Sequence, residues 1–444
     1  MAPKVSSSSA GASRFGDRQI LESRERILRA AADLIERKGA EAFSVKDLCV
    51  ELGVTQSLVN YHFSGRGGLI STVISRAIDD LRSRLVGANT EEGSAALDRA
   101  LAESIAWAQK HPGLFAAMVL RFTDNFATDV RPDITADLQR AWHDLESRCA
   151  EIARSKTGTS AGLHLLWVLF GAMAWLTFPS LGHTAHDQAR SRLPMSADEL
   201  VRVLSLAFEP TDKQHASRER TPRSSVGPRD KSARESLIVA AVNLMTSLDG
   251  RTISARAVCS DADCAPSLVT YHFGTFDTLV AEAATRVFVD GARDAERIAR
   301  LGEHGDATLD EWLWTVVEAT SGAIALPIAL GSTHHRRRLT DDCSDRLEST
   351  LREAWLMVIG STAHLGRRLL KMPEHAWNGS LDDFEPTPQL LSTMSFIGLT
   401  GLGASLWACS TSTYRGIEET RGRLVTTIPS VVSSINTVAD KIRH

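Results

Sequence analysis

The sequence predicts an all-α protein made of two tandem halves, and three observations carry that expectation. Apolar residues recur at helical spacing from Ile27 to Ile35 and again in longer runs such as Leu163–Phe178. The string Ser57-Leu58-Val59-Asn60-Tyr61-His62-Phe63 returns as Ser267-Leu268-Val269-Thr270-Tyr271-His272-Phe273, at an offset of 210. Between the copies, Glu209 to Lys231 carries Pro210, Pro222 and Pro228 with no apolar period, as a flexible basic linker does. The chain has 444 residues, 43% hydrophobic and 23% charged, which are ordinary globular values and exclude disorder or low complexity for its bulk.

The offset holds outside the string. It pairs Ala30-Ala31 with Ala240-Ala241, Leu34 with Leu244, Ser44 with Ser254, Cys49 with Cys259 and Leu69 with Leu279. Such a period is far longer than a solenoid repeat, so a duplicated domain is expected. The organisation reads as a disordered tail over 1–19, a small module over 20–85 and a helical domain over 94–208. The linker at 209–231, a second module at 232–296 and a second helical domain at 306–440 follow.

Within the first module, Ile27, Ala30, Ala31, Leu34 and Ile35 define an amphipathic first helix ending near Gly39. Ser44 caps a short second helix, with Asp47 as its acidic partner three residues on and Val45, Leu48 and Leu52 facing inward. Gly53 permits a tight turn, and Thr55 caps a third helix through Phe63 that buries Leu58, Val59 and Phe63. A fourth helix is expected from about Gly67 to Leu85. Two short helices across a glycine turn form a helix-turn-helix, spanning 44–63 here and 254–273 in the second half.

The series Ile27…Ala31…Gly39…Ser44-Val45-Lys46-Asp47-Leu48…Gly53-Val54-Thr55…Leu58 to Arg66…Leu69 resembles the DNA-binding domain of the tetracycline-repressor (TetR) family. The second half carries the frame more loosely, from Leu237 to Leu279. The resemblance implies a transcriptional regulator, most often a repressor relieved by a small molecule, that works as a two-fold dimer through its last two helices. It also implies phosphate contacts from Tyr61, His62 and Arg66, the last standing where the family usually has Lys. Phe63, by contrast, reads as core.

A recognition helix reads bases with its early outward side chains. Thr55, Gln56 and Ser57 open that helix as candidate DNA contacts with Asn60 one turn later, and Gln56 and Asn60 carry amides able to pair bidentately with adenine. Ser44 offers free backbone N–H groups at a helix start to a phosphate. The second module keeps Ser254, Tyr271 and His272 but has Ala265-Pro266 for the cap, Thr270 for Asn60 and Phe276 for Arg66. Pro266, Ser267 and Thr270 remain to touch thymine methyls or give single hydrogen bonds. From Arg18 to Leu85 the formal charge is +2, and from Arg229 to Glu296 it is −3. Phosphate neutralisation dominates non-specific affinity, so the second module is expected to bind more weakly and the operator to be asymmetric.

Duplication would place both protomers of a dimer in one chain. The matching segments are 160–178 with 196–208, and 387–410 with 416–438, where Gly398, Gly401 and Gly403 would let helices approach. The expected state is a monomeric pseudo-dimer, with a homodimer of chains as the rival. The apolar runs 163–178 and 390–409 then read as buried helices rather than membrane spans. The partners expected are duplex DNA and a small apolar effector, and no cofactor or metal is expected. Six scattered cysteines without a CxxC pair fit reduced cytoplasmic thiols.

All nine tryptophans lie outside the two modules and read first as core, second as the walls of an apolar pocket. Pro112, Pro132 and Pro327 are expected to break helices. His183, His186, His334 and His335 read as solvated loop residues, and Arg336-Arg337-Arg338 as an exposed basic loop. No P-loop, G-x-S-x-G elbow or HExxH motif is present, so an enzyme is not expected. The competing reading is a helical ligand-sensing or adaptor protein with one or both modules degenerate.

Overall fold

The computed structural model describes residues 9–40, 42–86, 94–119, 130–153, 159–177, 196–208, 232–246, 254–301, 306–321, 339, 341–373 and 386–444. Every regular element among them is a helix. The first half contains α1 (Ser9–Lys38), α2 (Val45–Leu52), α3 (Gln56–Phe63), α4 (Arg66–Arg84), α5 (Ser94–Lys110), α6 (Pro112–Val119), α7 (Pro132–Ala153), α8 (Thr159–Thr177) and α9 (Ala197–Ala207). The second contains α10 (Ala233–Thr246), α11 (Ala255–Asp261), α12 (Ser267–Phe273), α13 (Phe276–Leu301), α14 (Asp306–Ser321), α15 (Asp341–Leu369), α16 (Pro388–Arg415) and α17 (Ile417–Arg443).

Helix α1 starts at Ser9, so 9–19 of the tail expected over 1–19 are helical, and 1–8 lie outside the described residues. No proline interrupts the chain between Pro3 and Pro112, and α1 runs on until Gly39 takes a positive φ of 82°. Pro112, Pro132 and Pro388 each stand at a helix start, where the missing N–H costs nothing. Pro429 lies inside α17, a position the sequence reading passed over. The linker 209–231, Pro327, Trp377, His183, His186, His334, His335 and the three arginines 336–338 fall outside the described residues.

Helix α4 packs on α7, α13 packs on α14 and α15, and α8 packs along α16. Helices α9 and α17 flank that pair, so the four segments singled out in the sequence converge. Close approach rests on two glycines. A Cβ on Gly171 would lie 2.1 Å from the Leu399 carbonyl oxygen, and one on Gly403 would lie 1.6 Å from that of Trp167. Gly403 thus does what was expected of it, whereas Gly401 faces the Trp312 ring and Gly398 has only an ordinary contact with Thr362. Gly171 was missed because its run is otherwise bulky.

The apolar stretches of α8 and α16 are long enough to cross a membrane, yet 78% and 83% of their residues are buried against other helices. They are core. Trp107, Trp142, Trp167, Trp312 and Trp407 are fully buried, in line with the core reading. Trp407 Nε1 donates to Glu146 Oε1 (3.1 Å), and that carboxylate also meets Arg415 (3.3 Å) and Arg423 (2.8 Å). This buried cluster joins α7 to α16 and α17. Burial pushes the Glu146 carboxyl above its usual range, while Arg415 and the Trp407 N–H pull against that. All six cysteines are free thiols.

Candidate nucleic-acid interface

The reading helix of the first module is assembled from local signals. The Asp47 N–H donates to Ser44 Oγ (3.4 Å), closing the cap of α2. The Asp47 carboxylate does not complete the box; it pairs with Lys38 (3.1 Å). Gly53 ends α2 in the left-handed region at φ 65°, which a side chain would resist. The Leu58 N–H then donates to Thr55 Oγ1 (3.4 Å), starting α3. Leu52 and Leu58 are half-buried, while Val45, Leu48, Val59 and Phe63 are buried.

This leaves Thr55, Gln56, Ser57, Asn60 and Tyr61 exposed on one side of α3. Tyr61 keeps 66% of its surface. Ser44 is half-buried behind them. The amides of Gln56 and Asn60 therefore stand one turn apart with their donors and acceptors open, the arrangement base-edge pairing needs.

Two expectations are corrected. His62 is 5% exposed, and its Nε2 shares a hydrogen bond with Ser23 Oγ on α1 (3.1 Å). A ring turned into the domain cannot meet a phosphate as it stands. Burial holds its pKa below the usual histidine range, and the charges of Arg24 and Arg131 add to that. Arg66 is also turned inward: Nε donates to the Phe43 carbonyl (3.0 Å) and Nη2 to that of Ala40 (2.9 Å). Its guanidinium holds the loop ahead of Ser44. Sequence spacing could not find Ser23, 39 residues from the ring it holds. Nor could it find Gly68, where a Cβ would lie 1.8 Å from the Phe63 carbonyl as α4 crosses the end of α3.

The second module repeats the frame with altered fittings. Ser254 caps α11 through the Ala257 N–H (3.2 Å). Cys264 N–H donates to Cys259 O (2.9 Å), as Val54 N–H does to Cys49 O (3.1 Å). The pair Glu25–Arg76 (2.5 Å) returns as Glu235–Arg286 (2.6 Å), and the guanidinium of Arg24 over Phe63 returns as Arg234 over Phe273. Asp263 takes the left-handed turn at φ 50° in the place of Gly53, an uncommon conformation that Asp tolerates better than most residues. Helix α12 starts at Pro266 without a side-chain cap bond. Pro266, Ser267, Thr270 and Tyr271 are exposed, Tyr271 at 80%, and His272 is half-buried.

No curated protein matches the chain. Residues 27–73 match the family described as "Bacterial regulatory proteins, tetR family". The match covers α2, α3, the C-terminal part of α1 and the start of α4, the elements that hold the exposed amides. The chain therefore carries a tetR-family helix-turn-helix DNA-binding domain, which supports a transcriptional regulator of that family.

Proposed function

We propose that the chain is a sequence-specific regulator, a ligand-responsive repressor, that binds one pseudo-palindromic duplex operator as a single-chain pseudo-dimer. The observation that carries the DNA-binding part is the open row Gln56, Ser57, Asn60 and Tyr61 on a capped helix inside a tetR-family domain. Gel shift of the full chain with the DNA upstream of its own gene, at stated salt, tests it. A specific complex with Kd on the order of 10⁻⁸ M or tighter is expected. No preference over scrambled duplex would reject it in favour of a sensing or adaptor protein.

The intrachain pairing is supported by reciprocity. Gly171 and Gly403 are related by 232 positions, and so are Trp167 and Leu399. Gly171 abuts Leu399 while Gly403 abuts Trp167, the i-to-j and j-to-i pattern of a two-fold interface. A tether turns such pairing into an intramolecular event with effective concentration on the order of millimolar. Light scattering is expected to give one 48.3 kDa particle. Twice that mass at micromolar concentration would favour a homodimer of chains.

The effector reading is supported by an apolar cavity of about 30 Å³ among α13, α14, α15 and α16. Phe288, Trp312 and Trp355 wall it, and Gly291 and Gly398 leave it room. The corresponding first-half positions hold Leu81 and Leu166, both buried. One effector per chain, small and apolar, fits that asymmetry, and it enters by displacing a wall ring because the cavity holds little more than a water.

A further inference from the structure

The polar bonds that hold the first reading helix have no chemical counterpart in the second module. Helix α3 is fixed at three places. Thr55 Oγ1 accepts from the Leu58 N–H at its start, Ser23 Oγ bonds His62 Nε2 on its inner face, and Arg66 follows its last turn. Arg66 reaches back to the carbonyls of Ala40 and Phe43, just ahead of the α2 cap. The path from α2 through α3 into α4 is thereby closed on itself.

At the matching positions the second module has Ala265, Ala233 and Phe276. None offers a hydroxyl or a guanidinium. What the two modules share is the outer frame: the Glu–Arg pair between the first and last helices, the arginine over the phenylalanine ring, and the turn bond between the short helices. The frame keeps both helices in place. The first adds the Thr55, Ser23–His62 and Arg66 bonds to that frame, and bidentate base pairing tolerates little angular error.

A cation as the first residue of α4 opposes the helix dipole, so nothing local favours Arg66 there. Its two carbonyl acceptors supply the reason.

Resting on the DNA-binding reading above, we propose that Ser23, His62 and Arg66 are positioning residues for the first reading helix, and that base discrimination by this module depends on them.

The experiment compares the full-length chain with R66F, R66K and S23A, where R66F and S23A install the residues the second module carries. Affinity for the operator found by footprinting and for a scrambled duplex of equal length is measured across a salt series. Circular dichroism checks folding. The expected result is a loss of about tenfold or more in operator-over-scrambled preference for R66F and R66K, the scale of one good base contact. The slope of log Kd against log salt stays unchanged, because no phosphate contact is removed. Lysine does not rescue, since one ammonium cannot span both carbonyls in the guanidinium's geometry.

A slope shallower by about 0.9 in R66F, restored in R66K, would assign Arg66 to a phosphate and overturn the proposal. Unchanged preference in all three variants would overturn it as well. If R66F does not fold, R66K and S23A decide by the same preference ratio. A wild-type chain that binds no duplex instead rejects the underlying DNA-binding reading, a separate outcome.

Discussion

His164 offers the sharpest test of how α8 and α16 meet. It is 1% exposed, its Nε2 lies 3.5 Å from Thr400 Oγ1 on α16, and the rings of Phe208 and Phe396 flank it at 5.6 and 5.5 Å. Burial holds its pKa down at about 3, against 6.5 for the ordinary side chain. The unfolded chain therefore takes up a proton through pH 6.5, whereas the folded chain resists until about pH 3. The stability tied to this residue is complete above pH 6.5 and is lost as the pH falls towards 3. At pH 4.5 the loss amounts to about 3 kcal/mol, from two pH units at about 1.4 kcal/mol each.

His164→Leu removes the proton uptake and keeps an apolar side chain in the seam. Urea unfolding of both chains, followed by tryptophan fluorescence at pH 7.5, 5.5 and 4.5, gives the difference in unfolding free energy at each pH. Other titrating groups act alike in both chains and cancel. The variant is expected to gain on the wild type by about 3 kcal/mol between pH 7.5 and 4.5, whatever its stability at neutral pH. Parallel pH profiles would mean that the ring is in water and that the α8–α16 seam is not closed in solution.

Gly403→Ala places a methyl against the Trp167 carbonyl oxygen and is expected to lower stability by about 1–3 kcal/mol or more. Gly422→Ala in α17 meets nothing within 4 Å and is expected to raise it by about 0.5–1 kcal/mol; thermal melts of the pair check both signs. Glu146→Ala removes the buried carboxylate between Arg415 and Arg423, leaves Arg415 its longer contact with Glu419 (3.9 Å), and is expected to cost about 3 kcal/mol in urea unfolding. Gln56→Ala and Asn60→Ala leave a surface helix intact and are expected to relax base preference by about 1–3 kcal/mol at single positions, read by selection from random duplexes.

The helix-turn-helix was legible because its signals are local. Ser44, Gly53 and Thr55 act on backbone groups within three residues of themselves, so cap, turn and cap can be placed from order alone. The exposed row Gln56, Ser57 and Asn60 follows from helical period once Val59 and Phe63 are taken as core. His62 and Arg66 were misjudged for the opposite reason. A histidine or arginine serves equally as an outward cation or an inward donor, and the choice depends on Ser23, Ala40 and Phe43, which are distant in sequence.

By itself, then, the order of residues determined the 210-residue echo, and also the helical class, the caps and the candidate reading face, which are set by neighbours a turn or two away. Tertiary structure alone decided which polar groups turn inward, which glycines face a neighbouring backbone and where Glu146 finds its arginines. Those outcomes depend on which surfaces meet, and burial changes the worth of a charge or a methyl only after they have met.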